Sequence, residues 1–241
     1  MTSVASVAHV VVADLGHPVL TDEDAHHLKS VLRLRPGESV GATDGRGGYL
    51  PCSWSGSPLL EAVGPATSSP RPSPPLGVGL VPVKGDRPEW AVQKLTELGM
   101  DRIVVLSSER AVVRWEGARL ASHVDRLERV ARAALMQSRQ LWLPEIVVGR
   151  SVVEELEDGG DVVAIADRGG RPLPAGVRTV LIGPEGGWTD SERRRAGDRV
   201  VGLAPAVLRA ETAAVAAGVL LGARRAGLDV VPVPAPPPAA P

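Results

Sequence analysis

The chain is 241 residues long, 44% hydrophobic and 23% charged; these are globular proportions that exclude fibrous, collagen-like and wholly disordered classes. Its formal charge is −1, so no global positive field attracts polyanions, and any nucleic-acid contact must come from a local patch. Cys52 is the single cysteine, which excludes an internal disulfide and a cysteine-based zinc site.

Only three of the 27 basic residues are lysine. An arginine-rich balance suits planar contacts to phosphate or carboxylate, and codon bias in a GC-rich genome produces it equally well. Five Trp, one Tyr and no Phe leave the core to aliphatic residues and leave little for base stacking. No apolar run is long enough to span a membrane, and the N-terminus lacks the basic-then-apolar order of a signal peptide. A soluble cytoplasmic protein is the expectation, with no membrane partner.

His9–Ala13 reads as a strand. Thr21 then caps a helix with Asp22, Glu23 and Asp24 in its first turn, where acids suit the helix dipole; Arg35-Pro-Gly ends it. The adjacent His26 and His27 lie about 100° apart on that helix and cannot share a metal; one is expected in the core and one in solvent. Glu38–Thr43 and Gly48–Trp54 form a predicted hairpin, and Leu59–Val63 another strand. Short strands with one helix suggest a small β-barrel over residues 1–68. Residues 64–75, from Gly64 to Pro75, carry five prolines and read as a stiff extended linker, with 69–75 as its core. The tail over 231–241 is Pro/Ala-rich and expected to be disordered.

After the linker the pattern changes. Leu76–Val83, Arg102–Ser107, Asp161–Ala166, Arg178–Ile182 and Arg199–Leu203 are continuous aliphatic strands. They alternate with helices over Pro88–Leu98, Arg119–Arg139, Ser191–Ala196 and Glu211–Ala226. This is the signature of a parallel sheet covered on both faces, an α/β unit over 76–230.

Two strand ends stand out. Ile182-Gly-Pro-Glu-Gly-Gly187 runs from a buried strand into a capped helix, where open parallel sheets bind ligands. It is not a phosphate loop, because Glu185 repels phosphate, Pro184 lacks an N–H and no Gly-Lys-Ser/Thr follows. An adenosine carrying a cationic group fits it better; a plain tight turn is the alternative. Leu203–Thr212 is the second such loop, with Arg209, Glu211 and Thr212 as polar residues, two of which could merely open a helix.

These paired loops, Ile182-Gly-Pro-Glu-Gly-Gly and Leu208-Arg-Ala-Glu-Thr-Ala, resemble those of the RsmE family. Members are S-adenosylmethionine-dependent methyltransferases acting on N3 of a uridine in 16S ribosomal RNA of the small subunit. Five further stretches resemble the family in order: the helix from His27 to Glu38, Lys84-Gly-Asp-Arg, Gln93-Lys-Leu-Thr-Glu-Leu-Gly, Ser108-Glu-Arg, and Arg132-Ala-Ala-Leu-Met-Gln-Ser-Arg with Leu143-Pro-Glu beyond. Together they span most of residues 22–215.

The resemblance implies an α/β SPOUT-type parallel sheet with a C-terminal trefoil knot, preceded by a PUA-like RNA-binding barrel. It implies a homodimer with the active site at or near the interface, and S-adenosylmethionine as cofactor with no metal. Ile182, Gly183, Glu185, Gly186, Gly187, Leu203, Val207, Leu208, Arg209 and Thr212 are its candidate cofactor contacts. Arg209, Glu185 and Glu211 are the candidate catalytic residues. Arg209 would steady the uracil anion, and either glutamate could accept the proton or hold the cofactor. The sequence departs from the family at Trp188, where Phe is usual, and in an N-terminal strand short of aromatics.

Arg33, Lys84, Arg87, Arg114 and Arg139 are the candidate RNA contacts. Residues 102–139 hold eight arginines against four acids, which reads either as an RNA-backbone patch or as a solvated helix with pairs such as Asp125–Arg129 and Glu128–Arg132. Two other activities stay open: a methyltransferase of the same superfamily acting on tRNA or ribose 2′-OH, and a non-catalytic RNA-binding relative.

Overall fold

The computed structural model describes residues 6–115, 117 and 119–228; the predicted tail lies outside the described residues. The strands gather into two sheets. The first contains β1 (Ala8–Val11), β2 (Ser39–Thr43), β3 (Gly48–Trp54), β4 (Leu60–Ala62) and β5 (Thr67–Ser68). β1 runs parallel to β2, and the remaining pairs are antiparallel. The predicted β2–β3 hairpin forms in register from Ser39↔Ser53 to Thr43↔Tyr49. Asp44 sets its turn by accepting from the N–H groups of Arg46 (2.8 Å) and Gly48 (2.9 Å), the local bonding that favours Asp in turns. Val10, Leu28, Val40, Leu50 and Trp54 form its core.

Helix α1 (Asp22–His26) begins as predicted, with the Thr21 hydroxyl accepting from the Asp24 N–H at 3.1 Å. It is shorter than the sequence suggests. A π-helical turn follows over His27–Val31. Arg33 then adopts φ +53°, and the Leu34 N–H closes back on Leu28 O at 2.9 Å, one residue wider than the six-to-one bond of a Schellman cap because it follows a π-turn. The break lets Leu28 and Leu34 enter the same core. His26 and His27 are both exposed, contrary to the expectation that one packs inside.

The second sheet has six parallel strands in the order β11-β9-β10-β6-β7-β8. In chain order the elements are β6 (Gly77–Leu80), α2 (Arg87–Glu97), β7 (Arg102–Ser107), α3 (Arg119–Ser138), β8 (Glu145–Ser151), α4 (Val152–Gly159), β9 (Val163–Pro172), β10 (Thr179–Ile182), α5 (Asp190–Ala196), β11 (Val200–Gly202) and α6 (Ala210–Arg225). Alternate strand residues enter opposite layers, as the pleat requires. Val78, Ile103 and Val180 meet Leu95, Leu127 and Leu221 of α2, α3 and α6. Val104, Ile165 and Leu181 meet Leu156 and Ala196 of α4 and α5. The α/β architecture with both sheet faces covered is the one expected. β8 and α4 were not foreseen, although Ser151 and Glu154 form a complete capping box at the start of α4.

β9 and β11 touch backbone to backbone. A Cβ on Gly170 would lie 2.3 Å from the Val201 carbonyl carbon, and one on Gly202 would lie 2.8 Å from Gly170 O. No other residue fits either position.

The proline-rich stretch is anchored. Part of it forms β5, and the Ser69 N–H donates to Gly47 O at 2.9 Å. Arg71 lies over the Trp142 ring at 5.3 Å and pairs with Asp101. The two sheets are joined by further direct bonds. Gly47 N–H donates to Leu141 O and Leu143 N–H to Gly45 O. Arg132 of α3 donates to both carboxylate oxygens of Asp24, at 3.1 and 2.5 Å, and to Val11 O at 2.8 Å.

Candidate active site

A cavity of about 650 Å³ opens where β9, β10 and β11 end, within the range of small-molecule sites. Three neighbouring strands feed it. β10 delivers Ile182 and the loop Gly183–Gly187. β11 leads into Leu203–Leu208. The far part of β9 contributes Asp167 and Arg168.

The glycine loop is held from several sides. Gly187 has φ +68°, a conformation favouring glycine. Thr189 caps α5 in a reciprocal capping box with Glu192. The other Glu192 oxygen accepts from the Ser108 hydroxyl at 2.8 Å. Arg110 donates to Gly186 O (3.0 Å) and Trp188 O (3.1 Å). Trp188 is buried, packs against Gly183 and donates its indole N–H to Ala166 O at 2.8 Å. That bond links the β9 and β10 ends, and a phenylalanine ring at this position could not make it.

The predicted residues divide clearly. Ile182, Gly183, Glu185, Gly187, Leu203, Val207, Leu208 and Arg209 line the cavity. Gly186, Glu211 and Thr212 do not. The Cβ direction of Gly186 faces Arg110 at 3.8 Å, and Thr212 is exposed on α6. Arg209 is the N-terminal cap residue of α6, exposed at the cavity wall and without a side-chain cap bond.

Arg87, read from sequence as an RNA contact, sits between the two candidate glutamates. Its Nη1 is 3.1 Å from Glu185 Oε1 and its Nε 3.8 Å from Glu211 Oε1. One guanidinium therefore ties the glycine loop to the first turn of α6. Glu211 Oε2 is buried and has no hydrogen-bond partner among the described residues.

Asp167 was missed by sequence reasoning. Its Oδ2 lies 2.7 Å from Arg193 Nη2 yet makes no aligned hydrogen bond. An acid directly after the buried Val163–Ala166 run was the available signal. Arg110 was missed as well, although Ser108-Glu-Arg110 lay within a matched stretch.

The arginine-rich segment is mostly structural. Arg102 pairs with Glu155, Arg126 with Glu89 and Arg132 with Asp24. Neither predicted helical side-chain pair forms: Arg129 bonds the Asp125 backbone carbonyl at 3.4 Å, and Arg132 reaches across to Asp24. Arg139 closes α3 at φ +57° and donates to Ser6 O. Arg33 and Lys84 are exposed and far apart in the fold's sequence order, one after the π-turn and one between β6 and α2. Arg114 lines a different cavity. Among the described residues no cluster of three or more His, Cys, Asp or Glu could hold a metal, and no helix is long and apolar enough to cross a membrane.

Comparison with known proteins now bears on this geometry. A family model described as an RNA methyltransferase domain matches residues 70–222, and an RNA methyltransferase PUA domain model matches residues 20–49. The chain is 31% identical over 218 residues to ribosomal RNA small subunit methyltransferase E of Mycobacterium tuberculosis, covering 83% of each chain. The chain belongs to this methyltransferase family. The Bacillus subtilis relative of the same name is 27% identical, with 80% of this chain and 85% of that one covered. The family member from Neisseria gonorrhoeae, solved bound to S-adenosyl methionine, aligns at a TM-score of 0.75 with 26% identity, covering 89% of this chain and 96% of that one. A Legionella pneumophila protein solved in complex with bound SAM aligns at 0.78 with 25% identity, covering 91% and 98%. Family membership gives the two sheets their identity, an RNA methyltransferase domain behind a PUA-like domain.

Proposed function

We propose that this protein transfers a methyl group from S-adenosylmethionine to N3 of a uridine in 16S ribosomal RNA of the small subunit. The observation that carries the reading is the cavity walled by Gly183–Gly187 and Leu203–Arg209 at the ends of three parallel strands, in a chain of this family. Its apolar walls and close backbone suit a flat adenosine. Ile182, Gly183, Gly187, Leu203 and Leu208 would hold the adenine and ribose through backbone groups, with Val207 against them. Asp167 offers an acceptor to the cofactor's hydroxyl or amino groups.

The bound cofactor supplies an activated methyl group on a sulfonium. The chain's task is to position the uracil and manage its proton. Arg209, exposed at the cavity wall, would donate to the O2 or O4 that gains charge as N3 loses its proton. Preorganised donors of this kind contribute about 3–4 kcal/mol. Glu185 is the carboxylate at the mouth that can accept the proton. Glu211 acts through Arg87, which fixes Glu185. Gly186, whose carbonyl accepts from Arg110, supports the glycine loop, and neither it nor Thr212 lines the cavity.

The same proposal assigns residues 1–68 to the RNA-binding barrel, 69–75 to the linker and 76–230 to the catalytic unit. It includes the trefoil knot, for which the tight β9–β11 contact at Gly170 and Gly202 is the supporting feature. It includes a homodimer, supported by Val207 and Val219, which are 66% and 45% exposed beside and along α6. The cytoplasm, where ribosomes assemble, is the proposed location. Calorimetric titration with S-adenosylmethionine, followed by transfer of labelled methyl to unmodified small subunits, tests the reading. Binding without transfer to any RNA would reduce the protein to a non-catalytic relative.

A further inference from the structure

A second cavity of about 490 Å³ lies at the carboxyl ends of β7 and β8, lined by Ser107, Ser108, Arg114, Trp115, Val153 and the back of Glu192, among others. We propose that it receives a nucleobase of the RNA substrate flanking the methylated uridine, a proposal that rests on the RNA methylation reading above. Ligands bind outside the carboxyl ends of strands in open parallel sheets, and this end is not part of the cofactor cavity. The loop Ser108–Arg110 connects the surroundings of the two cavities. Ser108 bonds Glu192 on one side, while Arg110 of the same loop grips Gly186 O and Trp188 O on the other. A base in the second cavity would lie across this loop from the methyl donor, with the target uridine in the first.

The lining selects a planar, uncharged group. Trp115 is stacked on His123 with ring centroids 4.2 Å apart and planes within 4°, which holds the indole as a fixed platform. The Ser107 hydroxyl can donate and accept, and the Ser108 hydroxyl, whose proton goes to Glu192, can still accept, so a base edge finds both kinds of partner. A bare anion is disfavoured. The α4 N-terminus at this cavity already carries the Glu154 carboxylate, bonded to the Ser151 N–H at 2.7 Å, and Glu109 and Glu192 add negative charge. Arg114, exposed at the cavity, supplies a cation for the attached phosphate. In a chain with only five tryptophans, one fixed at a strand-end cavity is a concentrated stacking resource.

Two variants test this. Trp115→Ala removes the platform, and Val153→Phe fills the cavity from its α4 side. Each is compared with wild type for binding to protein-free unmodified small-subunit rRNA and to unmodified subunits, with cofactor titration as the check on folding. Base stacking on an aromatic side chain contributes enough to predict a rise of about tenfold to a hundredfold in Kd for RNA. Affinity for S-adenosylmethionine stays at the wild-type value. Unchanged RNA affinity in both folded variants overturns the proposal. So does a loss confined to assembled subunits while wild type and variants bind the protein-free rRNA equally well, which would assign the cavity to a ribosomal protein. A wild-type enzyme that methylates no rRNA at all would instead sink the function reading, which keeps the two failures distinct.

Discussion

Gly183 and Gly186 are three residues apart in one loop, yet substitution separates them. A Cβ on Gly183 would stand 2.9 Å from the Trp188 ring, which is buried and fixed by its bond to Ala166 O. Overpacking of that kind costs about 1–3 kcal/mol and shifts the loop. Gly183→Ala is expected to weaken S-adenosylmethionine binding at least about tenfold, the equivalent of about 1.4 kcal/mol. Gly186→Ala meets only Arg110 at ordinary contact distance and should bind as wild type does. Calorimetry on the pair decides it. Arg209 makes a different prediction. Arg209→Lys keeps the charge and loses the planar fork, so kcat should fall by about 10²–10³ with cofactor affinity little changed. Raising the pH should recover part of the rate, because more of the uracil imide is then ionised. A joint fall in cofactor affinity and thermal stability with no pH rescue would make Arg209 structural.

Elements inform the reading in proportion to how local their determinants are. The Thr21 cap and the β2–β3 hairpin are each fixed by residues within a few positions and are legible in the sequence; the glycine loop is legible in its own residues, although Arg110 and Ser108 hold it from far along the chain. β8 was overlooked because it is the sheet's edge strand and only half-buried along its length, so its aliphatic run is short and broken by Gly149. The partners of the arginines in 102–139 were not legible for the opposite reason. They are remote: Glu155 lies 53 residues from Arg102, and Asp24 lies 108 residues from Arg132. Arg87 and Glu185, 98 residues apart, show the same limit at the site itself. The Arg132–Asp24 contact joins α3 to the first sheet. Arg132→Ala would strand the buried Asp24 carboxylate and the Val11 carbonyl, a loss of about 3 kcal/mol. Denaturant unfolding should show that loss. If both units contact the RNA as proposed, the KM for small subunits should rise while cofactor affinity holds, because the two units lose their fixed relation.

For the whole molecule, the network beside β8 contributes stability that depends on pH. Glu155 is buried; burial alone would raise its pKa, but Arg102 and Arg150 outweigh this and hold the carboxyl below its ordinary value of about 4.5. A depressed folded pKa contributes stability that is complete above the unfolded value and disappears as pH falls through the folded one. Glu155→Gln should therefore cost about 2–3 kcal/mol at pH 7, less than a fully buried pair because both arginines remain partly exposed. The deficit should shrink below about pH 4.5, where wild type loses the same contribution. A deficit independent of pH in chemical denaturation would reassign the effect to packing. Unmodified small subunits incubated with the protein and S-adenosylmethionine, then digested to nucleosides and analysed by mass spectrometry, should yield one N3-methyluridine per 16S rRNA. A 2′-O-methylated nucleoside, or methylation of tRNA in place of the subunit, would contradict the account.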